Sequence, residues 1–160
     1  MSNLFNNEPV KRVQSVISRF NNNLKIQILE NTAKTAQDAS KALNCETGAI
    51  IKSLVLRKND LYFLCLVSGD KRCSLNKLKK ISNVKDLRMA DAKKVKEITG
   101  FTIGGVSPVG SNNKLETLID YNLKKFDNLY GAAGHPNAIF KISFNDLQKI
   151  TSGKIMDITE

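Results

Sequence analysis

Lys52 sits in the run Ile50-Ile51-Lys52-Ser53-Leu54-Val55 of this 160-residue chain. A lysine among apolar residues is either a strand-end side chain reaching back to solvent or a charge set into a pocket, where its surroundings adjust its proton affinity. Further along stands Gly104-Gly105-Val106-Ser107-Pro108. Its two glycines permit positive φ and close backbone approach, and its proline fixes the exit of the loop. Such a loop can aim bare N–H groups at an oxygen that gains negative charge, or it is simply a turn. It matches neither the Walker phosphate loop nor the dinucleotide-binding glycine pattern, so no nucleotide triphosphate or nicotinamide site is read from it. A third stretch, Gly131-Ala132-Ala133-Gly134-His135-Pro136-Asn137, has almost no bulk and leaves room beside a strand either for a small side chain or for a tight corner. Asp120, after the apolar run Leu115–Ile119, is a ligand-binding carboxylate or the cap of a short helix.

The remaining reactive residues exclude more than they suggest. His135 is the single histidine, which rules out zinc sites built on several histidines and proton transfer between two imidazoles. In its loop it is a solvent contact or a lone general base. Ser68, Ser107 and Ser111 lie in loops without a Gly-x-Ser-x-Gly elbow, and a Ser–His–Asp triad would have to recruit that sole histidine. Cys45, Cys65 and Cys73 are odd in number and have no Cys-x-x-Cys spacing, so they read as reduced, small apolar side chains rather than as disulfides or metal ligands.

Charge is the one extreme of composition: 25 Lys and Arg stand against 15 Asp and Glu, a formal net charge of +10. Ten of these bases, against Asp86 and Asp91 alone, fall between Lys71 and Lys96. A phosphate backbone is the natural partner of such a stretch, and a lysine-rich solvated surface is the other reading. Tyr62 and Phe63 lie in an apolar run and read as core rather than as a platform for stacking bases. The N-terminus lacks the pattern of a secretory signal and no apolar run approaches the length of a membrane span, so a cytoplasmic, soluble protein is expected.

The elements that must position these residues follow from periodicity and caps. Val10, Val13, Val16, Ile17 and Phe20 recur at helical spacing over residues 9–21, and Ile26 and Ile28 alternate like a short strand. Thr35 and Asp38 have capping-box spacing ahead of a helix through Leu43. Ile50–Leu56 and Leu61–Val67 form a hairpin turning at Arg57–Asp60, apolar enough to be buried on both faces. Ser74 caps a helix through Ile81, Val84–Met89 is a strand, and Asp91 caps a helix that ends at Gly100. Strands are further expected at Leu115–Ile119, Asn128–Tyr130 and Ile139–Ile142. A last helix is capped by Ser143 with Asp146 and ended by Gly153. These elements predict one α+β domain over residues 1–160, with an N-terminal helix in 1–23 and a core in 24–160.

The ordered set Thr32-Ala33 to Ala39, Ile51-Lys52-Ser53-Leu54-Val55, Ser68-Gly69-Asp70-Lys71-Arg72, Thr99 to Pro108, Leu118-Ile119-Asp120 and Ala132-Ala133-Gly134 resembles the YbaK/EbsC family. These are freestanding aminoacyl-tRNA deacylases related to the editing domain of bacterial prolyl-tRNA synthetase. The resemblance spans residues 25–158. It implies a mixed-sheet or barrel-like core with helices around it, and trans-editing: hydrolysis of the ester that joins a wrong amino acid to a tRNA, commonly tRNA(Pro). It implies Lys52, Gly104 and Gly105 as catalytic residues. Val106, Ser107, Pro108, Asp120, Ala132, Ala133 and Gly134 would then lie around the substrate, and Lys71, Arg72, Lys77, Lys79 and Lys80 on the tRNA. Family members hold the substrate carbonyl and the 3′ end with the Gly-x-x-x-Pro backbone, are thought to activate water with the tRNA's own 2′-hydroxyl, and use no metal or other cofactor. Prolyl-tRNA synthetase is a further implied partner.

Members that remove cysteine carry a serine where this chain has Ala132. The Ala132-Ala133-Gly134 stretch is more similar to relatives that clear alanine, serine, threonine or 2-aminobutyrate, with cysteine as the remaining small candidate. The alternative to a deacylase is a non-catalytic RNA-binding or synthetase-associated module of the same fold. Retention of Lys52, Gly104 and Pro108 favours the enzyme, because binding phosphates alone does not require that loop.

Overall fold

The computed structural model describes residues 3–160, and residues 1–2 of the expected N-terminal segment lie outside the described residues. In chain order the main elements are α1 (Glu8–Phe20), β1 (Ile26–Ile28), α2 (Ala36–Leu43), β2 (Ile51–Lys58), β3 (Leu61–Ser68), α3 (Leu75–Ser82), β4 (Leu87–Met89), α4 (Ala92–Thr99), β5 (Glu116–Asp120), β6 (Leu129–Ala132), β7 (Ala138–Ile142), α5 (Phe144–Thr151) and β8 (Lys154–Met156). The expected caps form. Thr35, Ser74, Asp91 and Ser143 each accept a hydrogen bond from the backbone N–H three residues on, and Gly100 closes α4 with φ at 80°. Ser152, not Gly153, takes the left-handed position after α5. Gly153 is needed for another reason: a Cβ there would stand 2.7 Å from Ile119 Cδ1.

Two sheets make up the α+β domain. The larger has the order β4-β2-β3-β5-β8: β2 pairs antiparallel with β3 and β4, while β3–β5 and β5–β8 are parallel. The smaller, β1-β7-β6, is antiparallel throughout. Among the described residues a single parallel bridge, Ile50 to Tyr130, joins them, and no strand pairing closes them into a barrel. The hairpin turn is tighter than expected, because β2 runs on to Lys58 and leaves only Asn59 and Asp60 in the turn. Burial also separates its two strands. β3 is buried from Phe63 to Ser68 as predicted, whereas Lys52, Ser53 and Leu54 of β2 are only half-buried.

The N-terminal helix is part of the core. Val10, Val13 and Ile17 on one face of α1 are fully buried in the main cluster with Leu66, Phe101, Ile119 and Phe140. Each such side chain contributes about 1.5–3 kcal/mol by leaving water. Its polar side reaches the loop that follows α4. Arg12 donates to the Gly110 carbonyl at 2.6 Å and the Thr99 carbonyl at 2.9 Å, and its guanidinium lies 4.8 Å from the Phe101 ring centroid. One side chain of α1 thus holds both ends of the glycine-rich segment. Among the described residues no helix is long and apolar enough to cross a membrane.

Candidate active site

A cavity of about 320 Å³ opens where β4 fails to cover the first half of β2. One wall is the start of α2 with the residues before it, Ala33 to Ala36 and Ala39, and another is Ile50–Leu54. Ile103, Gly104 and Val106 close it from the glycine loop, and Ala132, His135, Pro136, Ala138 and Ile139 from the β6–β7 corner. The walls are mostly alanine, valine and isoleucine, with Lys34, Lys52 and His135 supplying the charged and titratable groups.

Lys52 sits opposite Val67 of β3, and its ammonium donates to the main-chain carbonyl of Lys71. Burial pushes the Lys52 ammonium below its ordinary pKa of 10.5, while the nearby Asp70 carboxylate works in the opposite direction. The turn that carries both anchor and carboxylate is itself held from below. Asp120 is fully buried and accepts from the Ser68 N–H at 2.9 Å, the Asn122 N–H at 2.9 Å and the Asn122 side-chain amide at 2.8 Å. Ser68 Oγ then bonds the Gly48 carbonyl at 2.6 Å and Asp70 Oδ1 at 3.0 Å. Gly69 follows because a Cβ there would fall 2.3 Å from the Thr47 carbonyl oxygen.

The glycine loop divides its amides. Gly104 adopts φ of 94°, and the Gly105 N–H donates to the Thr102 carbonyl at 2.9 Å, closing the turn. The N–H groups of Gly104 and Val106 take no partner among the described residues, and both residues line the cavity. Gly105 matters sterically, since a Cβ would meet the His135 backbone at 2.9 Å and lock the two glycine-rich segments apart.

Of the residues predicted for catalysis and substrate, Lys52, Gly104, Val106 and Ala132 line the cavity together. The others do not. Asp120 spends its oxygens on the helix cap and the end of β3, the cap role that its spacing offers, and is absent from the cavity wall. Ser107 is buried with its hydroxyl accepting from the Val109 N–H, and Pro108 packs against Gly131. Ala133 is core, and Gly134, with φ of 90°, is small because Pro9 of α1 would stand 2.8 Å from its Cβ.

On the predicted RNA face, Arg72 and Lys80 are exposed and Lys71 and Lys79 half-buried. Lys77 is committed to Asp157 at 2.8 Å and to the Thr159 carbonyl at 2.6 Å. Lys34 and Ser53, which the sequence does not single out as site residues, line the cavity, and so does His135, read from sequence as a solvent contact or a lone general base. His135 Nδ1 accepts from the Asn137 N–H at 3.0 Å, so the neutral ring carries its proton on Nε2. Among the described residues no group of three or more His, Cys, Asp or Glu is placed to hold a metal ion.

Comparison with known proteins identifies the architecture. The model of the aminoacyl-tRNA editing domain matches residues 30–150. The chain belongs to the aminoacyl-tRNA editing domain family. A solved structure of a candidate trans-editing enzyme for prolyl-tRNA synthetase superposes with a TM-score of 0.89 at 35% identity, covering 95% of this chain and 97% of that one. The candidate Cys-tRNA(Pro)/Cys-tRNA(Cys) deacylase EbsC of Enterococcus faecalis is 25% identical over 126 residues, 78% of this chain and 77% of its own. The proline–tRNA ligase of Thermosipho africanus is 34% identical over 95 residues, 59% of this chain but 17% of the ligase. In this editing domain the amides of Gly104 and Val106 stay unpaired among the described residues, whereas that of Gly105 is committed to the Thr102 carbonyl.

Two substitutions test this arrangement. Asp120→Ala leaves the Ser68 and Asn122 amides without an acceptor and should lower the unfolding free energy by about 1–3 kcal/mol per stranded group, read by urea denaturation. Asp70→Asn removes the carboxylate that favours the charged lysine and should lower the Lys52 pKa further. An NMR titration of the Lys52 side chain that shows no change would refute the electrostatic reading.

Proposed function

We propose that this protein is a trans-editing deacylase that hydrolyses the ester of a mischarged tRNA, tRNA(Pro) bearing a small amino acid. The observation that carries the reading is the cavity itself: small apolar walls, two unpaired backbone amides from the glycine loop, and an anchored lysine on β2. An aminoacyl ester is already activated, so catalysis needs orientation and charge stabilisation more than a strong nucleophile. Water bonds to the acyl carbon, the carbonyl oxygen becomes an oxyanion, and the Gly104 and Val106 N–H groups donate to it. The bond to the tRNA 3′-oxygen then breaks, and that oxygen keeps the proton given up by the water. The resemblance assigns activation of the water to the neighbouring 2′-hydroxyl of the RNA, a scheme suited to a chain with one histidine. Lys52 supplies a positive charge beside the reacting ester and the 5′ phosphate of the terminal adenosine.

The cavity volume and its alanine-rich walls support alanine, serine, threonine, 2-aminobutyrate or cysteine as the amino acid whose acyl group is transferred to water. An apolar pocket separates acyl groups differing by one methylene by only about 1–3 kcal/mol, so several of these are expected to be cleaved. Lys71, Arg72, Lys79 and Lys80 supply the adjacent positive surface for the acceptor stem, with Lys77 contributing mainly through its link to Asp157. The implied site of action is the cytoplasm, with prolyl-tRNA synthetase as the enzyme whose errors are corrected.

Release of amino acid from a panel of mischarged tRNA(Pro) tests the reading directly. Lys52→Ala should lower kcat/KM by roughly 10²–10³, the loss typical of removing one electrostatic stabiliser, with the melting temperature kept; near-normal turnover by a folded variant refutes the role. Arg72→Ala with Lys80→Ala should weaken tRNA binding and reduce the slope of log K against log salt by about 1–2. The same pair should barely alter hydrolysis of a minimal aminoacyl ester.

A further inference from the structure

β3 pairs with the whole of β2, but on the other side β4 covers only Leu56–Lys58. Along an antiparallel pair the peptide groups alternate, one residue bonding to the partner strand and the next pointing away. Lys58 and Leu61 close the two-residue turn, so the even positions of β2 bond to β3 and the odd positions face the other edge. Val55 obeys this, its carbonyl accepting from the Ala90 N–H at 3.0 Å. Ser53 is the next odd position. Its N–H and carbonyl face the edge that no strand covers, and among the described residues neither has a partner outside the strand pairing.

The Ser53 hydroxyl is likewise without a hydrogen-bond partner and shielded from bulk water, in a residue that lines the cavity next to Lys52. One residue thus brings unpaired acceptors to a largely apolar wall. An aminoacyl ester carries one polar group that the Gly104 and Val106 amides cannot serve, because they are donors: the α-amino group. No Asp or Glu lines the cavity to receive it.

We propose that Ser53 is the residue that binds the α-amino group of the aminoacyl moiety, through its main-chain carbonyl and its hydroxyl, and so orients the ester against the open edge of β2. The inference rests on the deacylase reading and assigns within it the contact that distinguishes an aminoacyl from a plain acyl ester.

The test compares wild type, Ser53→Ala and Ser53→Thr on alanyl- and seryl-tRNA(Pro), each beside the ester that lacks the amine, propionyl- and 3-hydroxypropionyl-tRNA(Pro). Taking each variant relative to wild type on the same ester cancels the intrinsic reactivity of the acyl group. Ser53→Ala should lower kcat/KM on the aminoacyl esters about tenfold and on the deamino esters less than about twofold. Ser53→Thr, which keeps the hydroxyl, should retain most of the aminoacyl rate, and melting temperature and tRNA affinity should stay at wild-type values. Equal losses on both ester classes, or none on the aminoacyl esters, overturn the assignment while leaving the deacylase reading standing. Wild-type protein that accelerates release from none of the four esters overturns both.

Discussion

The carboxylate of Asp120 is the interaction on which the site depends. It is fully buried and joins the end of β5 to the end of β3 by accepting the Ser68 amide. The neighbouring Ser68 hydroxyl carries the connection on to Gly48 and Asp70. A buried charge is costly unless it is hydrogen-bonded, and this one is met by three N–H donors. The outcome is a stiff turn after β3. Because Lys52 is anchored to that turn, the position of the lysine is inherited from Asp120, while burial lowers its proton affinity and the Asp70 carboxylate of the same turn opposes that shift.

A second support comes from α1. Arg12 spans the two ends of the glycine segment, and Pro9 and Val13 press against Gly134 and Gly110. The glycines therefore serve different masters. Gly104 adopts a backbone conformation that side chains resist, Gly105 lets the two loops touch, and Gly134 admits the helix. Flexibility of the loop is limited from the side away from the cavity, which is the arrangement that preorganised amide donors require.

Sequence reasoning read the local features well. Caps such as Thr35, Ser74, Asp91 and Ser143 are written in a few consecutive residues, and α1 is plain from its apolar spacing. It was weaker wherever a residue's role depends on a distant partner. β8 went unseen because Lys154 and Ile155 are exposed and the strand is defined by parallel pairing with β5. The resemblance implies Ser107, Asp120 and Gly134 around the substrate, and their neighbours in sequence do not show what else these residues touch. Their commitments, to Val109, to Ser68 and to Pro9, follow from three-dimensional approach. Ser53 enters the site for the converse reason, since the sequence offers no sign that β4 stops short and leaves the first half of β2 open.

Lys52 is fastened to the backbone of Lys71 and not to its side chain. Every amino acid has a carbonyl, so the anchor imposes no demand on which residue occupies that position. The side chain at position 71 is thereby free to diversify through evolution without disturbing the ammonium that its carbonyl holds.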